Sequence, residues 1–527
     1  MSTARLRFSP PIGGAHPAVL SRRVSDLALI GLTGLVPLAI ALTVTVAVPN
    51  PDVLLLLGVA IGAVAILALA INTRLEVSVA LLALYLGMLD GPVKLLTANQ
   101  AASVVRDVLI FAVCIGALVR LLVSRERVRL PPLSGWVILF VALVLVEAFN
   151  PNTLGVLKIL GGFRQELEWV PFFFFGYLLM RSRERFRQLF LILGLVALVN
   201  GAVSTYQTRL TPAQLAGWGP GYAELVNGNE TLTARRYLSE GVARVRPPAL
   251  GTDAGFGGSV GVIALAGTLA LLATGPRRRR WLIVLLCLGA LLAIATSLAR
   301  LSVLGAAIAL LSFALLSASA GRRVTRPLGA LLAVAALALP LGAVLVSVEG
   351  SGVFSRYASI APNQVATTST TYKAASLAQI PNDIVNAPFG FGLATAGAAS
   401  NFGGHTTVTL EGHGHSAETQ YNYLMDELGL PGLLLWVALS LYVVVLAVRR
   451  LPRVVDLDIR ISLAAVFATF IALLLMGTNG PVTGSAAAGP FFWFAVGIAA
   501  YWLAGPTRGG SVAKPPTTTA ALSAGSG

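Results

Sequence analysis

Apolar residues fall along this chain in runs of about twenty, separated by short connections that are mostly rich in arginine. A helix rising ~1.5 Å per residue needs ~20 residues to cross ~30 Å of hydrocarbon, so each such run predicts a membrane-spanning helix. The pattern predicts fourteen: 27–48, 53–72, 75–92, 103–122, 134–149, 166–181, 186–206, 251–274, 281–297, 301–319, 328–348, 430–448, 459–477 and 489–505. Two polar stretches, 207–250 and 349–430, are too long to be simple turns. The predicted fold class is therefore all-α, a polytopic integral membrane protein of about 14 transmembrane helices. Its large outer-face loop lies between spans 11 and 12.

This pattern divides the chain into a basic tail over 1–24, membrane helices over 25–250 with an outer loop at 207–250, and a second membrane region over 251–505. A Gly/Ser/Thr/Ala/Pro tail over 506–527 is expected to be disordered. Composition agrees. A chain of 527 residues with 56% hydrophobic and 11% charged side chains and a mean hydropathy of +0.81 is not a soluble domain.

The net charge of +16 changes the picture only through its placement. With the N-terminus in the cytoplasm and strict alternation, Arg5, Arg7, Arg22, Arg23, Arg74, the clusters at 120–129, 181–187, 277–280, 322–326 and 449–460, and Arg508 with Lys514 all fall inside. These are most of the 38 basic residues, as the positive-inside rule demands, so the charge calls for no nucleic acid. Both termini are expected in the cytoplasm and both long loops outside. Cys114 and Cys287 lie within apolar runs and are expected to be packing residues.

The basic residues left outside then require another explanation. Arg300 sits in Thr296-Ser-Leu-Ala-Arg300, a tight turn between two spans. A guanidinium there is either an interfacial anchor or a clamp for an anion, whose oxygens match its planar fork of donors. Arg244 and Arg246 precede Pro247-Pro248, and Arg356 and Lys373 lie in the large loop. Together these five cations on the normally basic-poor face suggest a polyanionic substrate at the outer leaflet.

The same loop carries a turn-rich Pro388-Phe-Gly390-Phe-Gly392 and an acid–base group. His415 and Glu418 are three apart. If a helix opens at or near Ser416, they share one face with Tyr421. Either side chain can accept a proton from a hydroxyl, and a solvated loop end is the plain alternative. His405, His413 and His415 match no zinc spacing, and neither a P-loop nor a dinucleotide fingerprint is present.

The order of these stretches resembles the O-antigen ligase and O-antigen polymerase superfamily of bacterial membrane glycosyltransferases. The similarity runs through Thr296 to Arg300, Lys373 to Gly392, and His415 to Gly432 with its Glu427-Leu-Gly429. It is weaker at Gly162-Phe-Arg164-Gln-Glu166 and at Arg246-Pro-Pro-Ala-Leu-Gly251.

The resemblance implies a metal-independent enzyme without a cofactor in the bacterial cytoplasmic membrane. Its partners would be a glycan donor linked to undecaprenyl diphosphate, a glycan or lipid-glycan acceptor, and membrane lipids. Arg300 would hold the diphosphate, with Lys373 or Arg356 as second clamp and Arg244 and Arg246 nearby. Tyr421 and Glu427 would line the substrate groove, and His415 or Glu418 would be the base. The family's histidine lies nine residues before the Glu of Glu-x-Gly. Here that position is Glu418, with His415 twelve before Glu427, so either the loop carries three extra residues or a carboxylate replaces the imidazole, which points from ligase toward polymerase. A transporter or flippase of lipid-linked sugars is the competing class, and a structural membrane protein the third.

Overall fold

The computed structural model describes residues 74–98, 102–123, 130–153, 155–227, 236–239, 242–276, 278, 280–318, 370–401, 419–482 and 484–505. Expected spans 1, 2 and 11, both tails, and 349–369 and 402–418 of the large loop lie outside these residues.

The N-terminal helices are α1 (Leu75–Met88), α2 (Asp90–Thr97), α3 (Ala102–Val123), α4 (Ser134–Glu147), α5 (Val156–Leu167), α6 (Pro171–Leu179) and α7 (Arg183–Thr208). Short helices α8 (Pro212–Ala216) and α9 (Pro220–Asn227) follow, then a hairpin of β1 (Arg236–Ser239) and β2 (Val242–Val245). The remainder comprises α10 (Phe256–Thr274), α11 (Arg280–Thr296), α12 (Arg300–Ala318), α13 (Thr370–Asn386), α14 (Gln420–Arg450), α15 (Leu457–Met476) and α16 (Ala488–Trp502). The antiparallel hairpin, which pairs Tyr237 with Arg244, is a small departure from an all-helical chain.

Among the described residues five helices, α7, α10, α12, α14 and α15, are long and apolar enough to cross a membrane. Counting α1 and α2, bent by 45° at their junction, gives up to six. This chain is a multi-pass membrane protein. Two expected spans differ from their runs. The run at 75–92 bends into α2. The run at 166–181 yields the nine-residue α6, because Pro171 starts that helix after the turn at 168–170.

The chain forms two compact units. The first takes in residues 1–82 and 108–125. Its described part includes most of α3, whose Phe111, Ile115, Leu118 and Val119 are exposed and apolar. The second, residues 83–107 and 126–527, is a helical bundle.

Glycines set the closest approaches in this bundle. A β-carbon on Gly176 of α6 would lie 2.2 Å from the Phe494 carbonyl oxygen, and one on Gly497 of α16 would lie 2.0 Å from that of Phe173. Without an exclusion of water to drive helices together in lipid, such backbone-to-backbone contact is a main source of association.

The packing sorts helix ends into two groups. At one end Arg183 at the start of α7 meets Asp456 and Asp458 at the start of α15, at 2.6 and 3.0 Å. There too Arg187 donates to the Thr274 carbonyl that closes α10, and Trp502 donates to the Met180 carbonyl. Arg181 lies 5.4 and 5.1 Å from the Tyr177 and Tyr501 rings. At the other end the close of α7 joins the segment before α10, and the Gln420 N–H donates to Gly477 after α15 at 2.9 Å.

Candidate functional site

At this second end, the polar residues of the sequence gather in two nodes. The first surrounds the start of α10. Gln207, near the close of α7, donates to the Ala249 carbonyl at 3.0 Å and accepts from the Ala249 N–H at 2.8 Å. Asn200 accepts from the Leu250 N–H at 3.1 Å and donates to the Gly87 carbonyl at 2.8 Å. These bonds fix Arg246-Pro-Pro-Ala-Leu-Gly251 against α7. Ala249 has a left-handed φ of 54°, a strain that the two-bond grip of Gln207 offsets.

The Thr296 to Arg300 turn approaches α10 from the other side. A β-carbon at Gly258 would fall 2.1 Å from Ser302 Oγ and 2.6 Å from Ser297 Oγ. The buried Leu298 at its apex has a φ of 52°. The start of α10 therefore lies between the segments bearing Arg246 and Arg300. Arg246 is buried, and Arg300 is half-buried with a buried Nε that meets no hydrogen-bond acceptor among the described residues. Among the described residues no side chain makes a capping hydrogen bond at Gly255, which precedes α10. Two arginine-bearing segments thus flank this helix start, and the carboxylate of Asp253 lies beside it, 3.1 Å from where a β-carbon on Gly255 would be.

The second node is a break in α14. Gly429 has φ 63° and ψ −167°, a conformation essentially reserved for glycine. Pro431, two residues on, has no N–H for the Glu427 carbonyl. The bonds lost are exchanged with the Pro388 to Gly392 turn: Leu430 N–H donates to the Pro388 carbonyl at 2.8 Å, and Phe391 N–H donates to the Asp426 carbonyl at 2.6 Å. Contact is so close that a β-carbon at Gly429 would sit 2.5 Å from the Pro388 oxygen.

Helix α5 closes this node. Gln165 Nε2 donates to Glu427 Oε1 at 2.8 Å, and the Ala396 N–H donates to the same oxygen at 3.2 Å. Gln165 Oε1 accepts from Ala399 N–H at 3.3 Å, and buried Lys158 donates to the carbonyls of Ala394 and Ser400. Burial pulls the Lys158 ammonium below its usual range, and Glu427 offsets part of that. Glu166, the residue after Gln165, is buried with its carboxyl group beside the Gln165 side chain.

Ion pairs brace α5 from its far side. Arg164 meets Asp107 at 3.0 Å, and Arg106 donates to Glu168 at 2.7 Å while lying 5.0 Å from the Trp169 ring.

The expected site residues distribute unevenly over these nodes. Arg246 and Arg300 flank the start of α10, and Arg244 lies on β2. Lys373 lies on α13, one turn ahead of Ser376, which donates to Asn422 Oδ1 at 2.8 Å and so docks α13 on the start of α14. Glu427 is fully buried within the second node. Tyr421 donates to the Leu474 carbonyl at 3.0 Å and packs edge-on against Trp436, so its polar tip is turned to α15.

Arg356, His415 and Glu418 lie outside the described residues. The helix carrying Tyr421 begins at Gln420, with Thr419 extended at φ −120°, ψ 156° as its cap. The Asn422 N–H donates to Thr419 Oγ1 at 3.2 Å and caps this helix start, while the expected face shared by His415, Glu418 and Tyr421 involves residues outside those described.

Lys158, Gln165 and Glu166 were not singled out as site residues by the sequence. The signal available was a lysine amid apolar Val156 to Ile159 and the polar pair after Arg164. Comparison with protein-family models, with characterised proteins and with solved structures finds no match to this chain.

Proposed function

We propose that this chain is a cell-surface glycosyltransferase of the O-antigen ligase and polymerase kind, acting where the two nodes lie. One observation supports this reading above others. The described parts of the stretches that carry the resemblance, scattered from residue 162 to residue 432, gather at one end of the bundle, away from the arginines of 181–187 and 449–460. Under this reading the fourteen-span topology holds, the arginine end faces the cytoplasm, and the nodes face outward in a bacterial cytoplasmic membrane.

Arg300 and Arg246, with the start of α10, would hold the diphosphate of an undecaprenyl-linked donor. Lys373 or Arg356 would add a second clamp. An acceptor hydroxyl attacks the anomeric carbon, its proton passes to Glu418 or His415, and the bond to the lipid diphosphate breaks. Fixed positive charge stabilises that leaving group as it departs.

The test is transfer by the purified protein in liposomes, from an undecaprenyl-diphosphate oligosaccharide to a glycan acceptor. Arg300→Lys keeps the charge but loses the fork, and a loss of at least about tenfold is expected. Activity equal to the parent would make Arg300 an interfacial anchor. A broken α14 is also what a transporter would use, so the same liposomes distinguish that class: donor movement between leaflets without transfer would favour it.

A further inference from the structure

Helix α5 is amphipathic in the sense opposite to a water-facing helix. Val156, Leu157 and Leu160 are 70%, 59% and 57% exposed, while Lys158, Gly162 and Glu166 are buried. At ~100° per residue, 156, 157, 160, 163, 164 and 167 form one face. Arg164 is the one charged residue on this face, and it is paired with Asp107. A helix at a water-washed surface carries its charges outward and its apolar side inward. With 12 residues, α5 is about 18 Å long at ~1.5 Å per residue, well short of a bilayer's ~30 Å.

This apolar face continues a neighbouring surface. α4 exposes Ile138, Leu139, Leu145 and Val146 at helical spacing and buries Val137, Phe140 and Val144 on its other side. Phe149, 88% exposed, carries the stripe out of α4 toward α5. Exposed Phe389 belongs to the turn packed on Thr153, where Leu393 N–H donates to Thr153 Oγ1 at 2.9 Å. In a multi-pass membrane protein, a continuous apolar stripe on a helix faces hydrocarbon.

We infer that α5 lies in the membrane–water interface with Val156, Leu157 and Leu160 in the acyl chains, and that the bilayer thereby helps seat Gln165 and Lys158 on the α14 break. Interfacial helices take this form, with the apolar side in lipid. Here the polar side meets protein instead of water, through Gln165 with Glu427 and Lys158 with the 394–400 turn. The inference stands apart from the transferase reading, because lipid exposure of α5 needs no particular chemistry at the site.

Single cysteines at Val156, Leu157, Leu160 and, as a water reference, exposed Asn152 test it in the full chain carrying Cys114→Ala and Cys287→Ala. Each is spin-labelled in nanodiscs of phosphatidylethanolamine and phosphatidylglycerol. These side chains are exposed, so the labels leave the fold intact, and an unchanged melting temperature checks this. Collisions with oxygen are expected to exceed those with a water-soluble nickel chelate at 156, 157 and 160, and to reverse at 152. Nickel collisions dominating at all three would overturn the inference. So would protection from both reagents together with cross-linking at 157 between two copies, since a second chain would then cover the face.

Discussion

At the arginine end of the bundle, Arg183 meets Asp456 and Asp458 in ion pairs whose side chains remain substantially open to solvent. At the opposite end, Lys158, Gln165 and Glu427 are joined to the 394–400 turn in a buried or nearly buried network, beside a helix broken at Gly429. Exposed pairs exchange one set of hydrated contacts for another and gain little. Buried donors and acceptors have no such exchange, so each missing partner costs the full desolvation of the group left behind. The first end therefore tolerates change, whereas the second depends on every member. Among the described residues, a buried donor without an acceptor, such as Arg300 Nε, is then a place where an occupant from outside would be felt.

The sharpest way to break this contrast is Gly429→Ala. The added methyl meets the Pro388 carbonyl and the backbone is one that alanine rarely adopts. We expect a loss of about 3 kcal/mol or failure to accumulate, read by thermal unfolding in detergent. A stable Gly429→Ala protein would mean that the turn and the helix break are not interlocked. Next is Lys158→Met, which keeps the apolar stem and leaves the Ala394 and Ser400 carbonyls without their donor. About 2 kcal/mol is expected, with faster proteolysis of the 394–400 segment as a local readout. Smallest is Arg183→Ala at the opposite end, where melting should shift by the equivalent of less than about 1 kcal/mol and less still in high salt. A larger loss there than at Lys158 would reverse the comparison.

The spans themselves are written locally. The run at 301–319 corresponds to α12 (Arg300–Ala318) and that at 459–477 to α15 (Leu457–Met476), because hydrophobic length is a property of contiguous residues. Caps are local too: Asp456 accepts from the N–H groups of Asp458 and Ile459, two and three residues on. Arginine clusters at 181–187 and 449–460 announced a common side before any packing was known, and the structure brings Arg183 to the start of α15.

Only the tertiary structure decided where the chain departs from these runs and which polar groups meet. That Glu427 accepts from Gln165, 262 positions away, leaves no trace in the residues around either one. The Gly429 to Pro431 pattern announces a bend, but not that the Pro388 carbonyl and Phe391 N–H complete the bonds the bend interrupts. Burial of a polar group is tolerable only beside its partner, and that partner is supplied by the fold as a whole.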